Sequence, residues 1–305
     1  MTSITVNLPT PLPVRAGLSA VGWVRTRMAL EVSKMLLGDN ELARDTRIVP
    51  FEEDPGYFGP DSVTWRLHDD ACMIAGGLRA LMLQTMHPLA IAGVTQHSNF
   101  RTDPLGRLAN TTNYVGTTIY GTKPQVRESI AMVKRVHRHV VGTTSEGVPY
   151  DANDPHLLTW VHHTLVDSFL RAYRRYGAGP LSDEDADAYV SEQAVLADLF
   201  EAESPARSVE ELRAYFHAMR PELRATPESH DTIRFLLLPP LPLVARGPYA
   251  VMASAAVTML PRGVRRELRL PVPPAVEPFM VRPATTALIR TVDWVMLAHP
   301  SRALA

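Results

Sequence analysis

His137 is the residue with the most chemistry around it. In the segment Gln125–Val141 the positions Val126, Ile130, Val133, His137 and Val140 recur at steps of four, three, four and three. That spacing traces one face of a helix. Arg127, Glu128, Lys134, Arg135 and Arg138 fall on the other face, so His137 takes a core position in an aliphatic stripe. His139, about 200° further round, points to solvent or to a rim. A buried imidazole needs a partner, since leaving it unpaired costs roughly 2–7 kcal/mol on transfer scales. It can hydrogen-bond to a carbonyl or carboxylate, or it can bind a metal; spacing leaves both open.

A second inward histidine is expected at His162. On the segment His156–Tyr176 it shares a face with Leu158, Leu165, Phe169, Ala172 and Tyr176, while His163 points elsewhere. Two such histidines on separate helices could bracket one metal, or serve as ligand and pocket lining. Arg107 and Thr111 lie four apart and share a face if Leu105–Tyr120 is helical. An arginine there could meet a haem propionate or another anion, or could be a solvated surface charge. Other chemistries lack their signatures. No glycine-rich dinucleotide or phosphate loop, no nucleophile elbow and no His-Glu-x-x-His zinc helix occurs. Cys72 is the only cysteine, which excludes an internal disulfide and argues against a thiolate metal site.

The elements that must hold these residues read as helices. Ala71–Met86 is apolar nearly all round and should be buried on every side, with Gly76 and Gly77 permitting close approach of a neighbouring helix or a flat cofactor. His87-Pro88 interrupts it, because a residue before proline avoids the helical region. Asp103-Pro104, Thr122 with Pro124, Asp154-Pro155, Ser182 with Asp185, and Ser208 with Glu211 are helix starts; Gly142 and Gly177 are stops. Period-two alternation is scarce. The expected fold class is all-α, with a proline-rich C-terminal extension. Residues 1–50 read as an arm followed by the helix Arg15–Leu37, 51–234 as the main helical unit that carries these histidines, and 235–305 as an apolar segment packed on it.

Composition narrows the setting. The chain has 305 residues, 46% of them hydrophobic, and a net charge of −1, so nothing favours nucleic acid as a partner. The start of the chain contains prolines and no continuous apolar run, so no secretory signal is expected and a cytoplasmic location is the expectation. The longest apolar stretch, Phe235–Leu260, is broken by four prolines and Arg246. Its clean part is too short for a bilayer core of ~30 Å. A buried helix after a proline-rich turn is expected there; peripheral membrane contact, a lid and a homodimer interface stay open for this tail.

Four ordered motifs carry a resemblance. Met-His-Pro-Leu-Ala-Ile-Ala-Gly-Val-Thr-Gln-His-Ser (86–98) is followed by Asp-Pro-Leu-Gly-Arg-Leu-Ala-Asn-Thr-Thr (103–112). Val-His-Arg-His-Val-Val-Gly (136–142) comes next, and then Tyr-Asp-Ala-Asn-Asp-Pro-His-Leu-Leu-Thr-Trp-Val-His (150–162). From about Asp54 to Glu203 the chain resembles the catalytic domain shared by rubber oxygenases (latex-clearing proteins) and MpaB-type oxygenases. The resemblance implies a globin-like core with one haem b. His137 would be the axial iron ligand, and Arg107 and Thr111 would lie near the haem. His87 falls on the family's His-Pro motif, and His162 is a pocket candidate. It also implies dioxygen and an apolar, isoprenoid or lipid-like unsaturated substrate. A haem oxidase or peroxygenase, and a haem sensor or carrier without turnover, are the alternatives. Two positions depart from the rubber-cleaving branch. Asn110 stands where that branch has a lysine, and no glutamate occurs between His87 and Arg107.

Overall fold

The computed structural model describes residues 54–99 and 101–297. The N-terminal arm and the helix read at Arg15–Leu37 lie outside the described residues. Within them the chain is all-α, as expected, apart from one small hairpin. The order is α1 (Val63–His68), α2 (Met73–Gln84), α3 (Pro88–His97), α4 (Pro104–Tyr120), α5 (Lys123–His137), β1 (Val141–Thr143), β2 (Pro149–Asp151), α6 (Pro155–Tyr176), α7 (Asp183–Phe200), α8 (Val209–Ala218), α9 (Pro227–Leu237), α10 (Leu243–Met259), α11 (Arg262–Glu267) and α12 (Arg282–Met296).

The helix starts follow from local chemistry. The side chains of Asp103, Asp154, Ser182 and Ser208 accept hydrogen bonds from the first-turn amides of α4, α6, α7 and α8. The Gln125 carboxamide accepts from the Thr122 backbone N–H at 2.9 Å, closing a capping box on α5. These contacts satisfy amides that a helix start otherwise leaves without partners. His87 is extended (φ −91, ψ 114) and Pro88 opens α3, the break expected of a residue before proline.

The bundle has two apolar centres. The larger is built on α2, which packs on α6 and α10. Gly76 makes the α2–α6 approach possible: a Cβ there would lie 2.9 Å from Phe169 Cδ1 and 3.2 Å from the Ser168 carbonyl oxygen. The smaller centre joins Phe58, Ile119, Val126, Ile130 and Leu196, from the segment before α1, the α4–α5 pair and α7. α4 packs on α5 and α1, and α5 on α4 and α7. The helices that carry Arg107 and His137 thus have a core of their own, beside the α2–α6 core.

One local feature differs from expectation. The helix read as running to Val141 ends at His137, and the chain turns through Arg138–Val140 into β1. The hairpin registers Val141 with Asp151 and Thr143 with Pro149. Two consecutive valines followed by glycine and two threonines favour extended backbone over helix, and Gly147 takes the positive φ (81°) of the tip. The C-terminal segment forms α10–α12, and buried Met252, Ala253, Ala255, Ala256 and Val257 set α10 into the main core, the buried helix expected after the proline-rich turn.

Candidate active site

His137 is the last residue of α5 and is half-buried. Its Nδ1 is buried without a hydrogen-bond partner. Burial, and then the positive charge of Arg107, hold its pKa below the ordinary histidine range, while the Ala152 backbone and Asp151 pull the other way without outweighing them. The ring is therefore neutral near pH 7, the form that ligates a metal. The charge of Arg107 thus reaches the His137 ring.

Arg107 sits in the first turn of α4. Its side chain is exposed to solvent, yet enough protein surrounds it to push its pKa below the usual guanidinium range. No other described residue forms an ion pair with it. Thr111 does share its face: the Thr111 Oγ1 donates to the Arg107 carbonyl oxygen at 2.9 Å. That bond commits the hydroxyl hydrogen to the helix and leaves the oxygen lone pairs as acceptors. Every residue from Thr111 to Thr117 is half-buried, on all sides of α4. A helix with a single solvent face would alternate between buried and exposed residues.

On α6 the structure corrects the ranking of two histidines. His163, read as pointing away from the interior stripe, is the fully buried one. Its Nε2 accepts the Ala206 backbone N–H at 3.0 Å, and its ring stands edge-on to Tyr215 with centroids 4.3 Å apart. α6 is packed on several flanks, so the 100° step to the next residue leads into another part of the core rather than to solvent. His162 is half-buried beside half-buried Val161 and Leu165, and burial pushes its pKa down to about 3. His68, at the end of α1, has the same character. Its Nε2 lies 3.1 Å from the Tyr189 hydroxyl, its ring packs edge-on against Phe169, and burial pushes its pKa to about 3. The sequence reading passed over His68, whose short helix has too few residues to show a periodic face.

His87 belongs to a second cluster. It is buried, and neither ring nitrogen makes a hydrogen bond. Its Nε2 lies 3.6 Å from Glu222 Oε2, which is 2.9 Å from His156 Nε2. One ligand atom from each of His87, His156 and Glu222 falls within 4.8 Å of the others. Burial lowers the pKa of His87 against the pull of Glu222. At His156 burial also acts downward, but the bond to Glu222 and the charges of Glu222, Glu203 and Asp154 outweigh it and raise the pKa. Only His87 of this trio stood out in the sequence. His156 was visible as the residue after Asp154-Pro155, and Glu222 lies in a 3₁₀ turn (Arg220–Glu222) far along the chain. No spacing rule links the three.

Comparison with known proteins adds one finding. The model of the family described as "ER-bound oxygenase mpaB/B'/Rubber oxygenase, catalytic domain" matches residues 65–294. The match runs past Glu203, where the motif resemblance ended, and takes in the C-terminal helices. No curated protein and no solved structure matches the chain.

Proposed function

The chain belongs to the ER-bound oxygenase mpaB/B′ and rubber oxygenase catalytic-domain family, and on that premise we propose that it is a haem b-dependent oxygenase of an apolar unsaturated substrate, with His137 as the iron ligand. The observation that carries this reading is the pairing of His137 with Arg107: a neutral, half-buried imidazole beside a cation with no carboxylate of its own. A propionate-bearing macrocycle needs both, one group for the metal and one for the carboxylate. The half-buried faces of α4 and of His162, Val161 and Leu165 support a space between the two cores.

Haem there would supply dioxygen binding and the redox chemistry. The chain's own residues do the rest. Arg107 offers a charged hydrogen-bond donor for a carboxylate. Thr111 offers an acceptor oxygen. His162, neutral across the physiological range, adds a polar contact without bringing charge into an apolar wall. Val161 and Leu165 keep water from the substrate.

A second reading rests on the other cluster. Two histidines and a carboxylate with free positions suit non-haem iron(II), which also serves oxygenases. Expression with haem supplied separates the two. A Soret band in the intact protein that is lost in His137→Ala is the expected result. A band unchanged by that substitution overturns His137 as ligand. No band, together with stoichiometric iron that disappears in His87→Ala, favours the second reading.

A further inference from the structure

On the flank of α6 roughly opposite His162 lies a cavity of about 1150 Å³, walled by α6, α8, the end of α10, α11 and the segment that follows it. Nine arginines line it: Arg171, Arg174 and Arg175 from α6, Arg213 from α8, Arg262, Arg265 and Arg266 from α11, then Arg269 and Arg282. Only two carboxylates, Asp167 and Glu277, share the lining. Three of the arginines are already paired: Arg171 with Asp167, Arg174 with Asp183 and Arg175 with Glu277. The other six have no side-chain partner among the described residues. Arg265 is the sharpest case, because its Nε is buried and makes no hydrogen bond.

The floor is rigid. Arg79, fully buried on α2, donates from Nε to the Met259 carbonyl oxygen at 3.0 Å and from Nη1 to Ser168 Oγ at 2.7 Å. Its Nη2 lies 2.8 Å from Asp167 Oδ2. Asp167 is thus occupied by Arg79 and Arg171 and has little charge to spare for the six. Gathering that many unpaired guanidinium groups around one cavity is costly by mutual repulsion, and an anion of matching charge removes the cost. Guanidinium forks fit phosphoryl and carboxyl oxygens alike. The number of free forks exceeds what one carboxylate can use, which argues for adjacent phosphoryl groups.

We propose that this cavity is a binding site for a ligand carrying two or more phosphoryl groups, either a free diphosphate compound or a bisphosphorylated lipid headgroup. It stands apart from His137, so it does not depend on the oxygenase reading. Inorganic pyrophosphate is the first probe, titrated into the full chain by calorimetry at low salt. One equivalent should bind, with affinity falling steeply as salt rises. The double variant Arg262→Ala/Arg266→Ala changes two exposed, unpaired side chains of α11 and should weaken binding at least tenfold without altering the far-UV circular dichroism. Arg135→Ala, an exposed arginine on α5, should leave it unchanged. Co-sedimentation with phosphatidylcholine vesicles, with and without a bisphosphorylated inositol lipid, separates the two sources. Sedimentation only with the phosphorylated lipid, lost in the double variant, identifies a headgroup; pyrophosphate binding without it identifies a soluble ligand. The proposal is overturned if neither probe binds, or if the double variant and Arg135→Ala bind alike.

Discussion

Arg79 and Asp167 form an ion pair at 2.8 Å in which the arginine side chain is 1% and the aspartate 12% exposed. The pair ties α2 to α6, whose packing builds the larger core. Removing Asp167 strands the buried Arg79 charge, and removing Arg79 leaves Asp167 with exposed Arg171 alone. Asp167→Asn or Arg79→Met should therefore cost about 3–5 kcal/mol of stability, whereas the joint replacement Arg79→Met/Asp167→Leu should cost clearly less. Urea unfolding of the three variants, followed by circular dichroism, checks the order; a loss in the double variant equal to the sum of the two single losses would show that the pair adds no coupling.

Gly76 and Gly77 are neighbours with opposite expectations. A Cβ at Gly76 meets Phe169 Cδ1 at 2.9 Å and Ala172 Cβ at 3.2 Å, whereas at Gly77 the nearest atom is Phe169 Cε1 at 4.0 Å. Gly76→Ala should destabilise by about 1–3 kcal/mol through overpacking. Gly77→Ala should stabilise by up to about 1 kcal/mol through helix propensity. Thermal midpoints that move in the same direction would contradict the packing described.

Three histidines make the fold acid-sensitive. Burial holds His68 and His162 at about 3 and His163 at about 4, against 6.5 in the unfolded chain. Between those values the unfolded chain binds more protons than the folded one, so stability falls as pH drops below about 6.5. The loss is on the order of 1 kcal/mol per histidine per pH unit. In His163→Gln the amide oxygen can still accept the Ala206 N–H, so the acid slope should shrink by one histidine's share while stability at pH 8 stays near that of the parent. Denaturation midpoints from pH 8 to pH 4 test this.

Arg107→Ala should weaken haem retention about tenfold or more, the weight of a hydrogen bond to a charged group. Arg107→Lys should recover part of it, since a lysine keeps the charge but not the fork. Haem transfer to apomyoglobin, timed for each variant, reads the effect. Equal transfer rates in all three proteins would remove Arg107 from the site.

Much of the fold was legible because it rests on local chemistry. The caps at Asp103, Thr122, Asp154, Ser182 and Ser208 and the break at His87-Pro88 depend on neighbours in sequence, and they stand where expected. The burial of α2 and the close approach at Gly76 followed from its apolar circumference. What distance in sequence hides was not legible. His156 and Glu222 meet His87 only through tertiary packing. His163 was misjudged because one-face reasoning assumes a helix with one buried side, and α6 has several. The end of α5 was overrun because Val140 continues the helical spacing, while the β-branched run beyond it belongs to a hairpin. The arginines looked like compositional bias until folding gathered nine of them around one cavity.

That hairpin changes how His137 is held. A residue in the final turn of a helix is not locked by bonds on both sides, since final turns fray. Here the exit is clamped: the Tyr150 hydroxyl donates to Gln96 Oε1 at 2.7 Å and lies 3.1 Å from His97 Nε2, both on α3. β1 and β2 therefore act as a splint. The aim of the imidazole answers to α3 through six strand residues, and a disturbance of Tyr150 would reach His137 with the rest of α5 left straight.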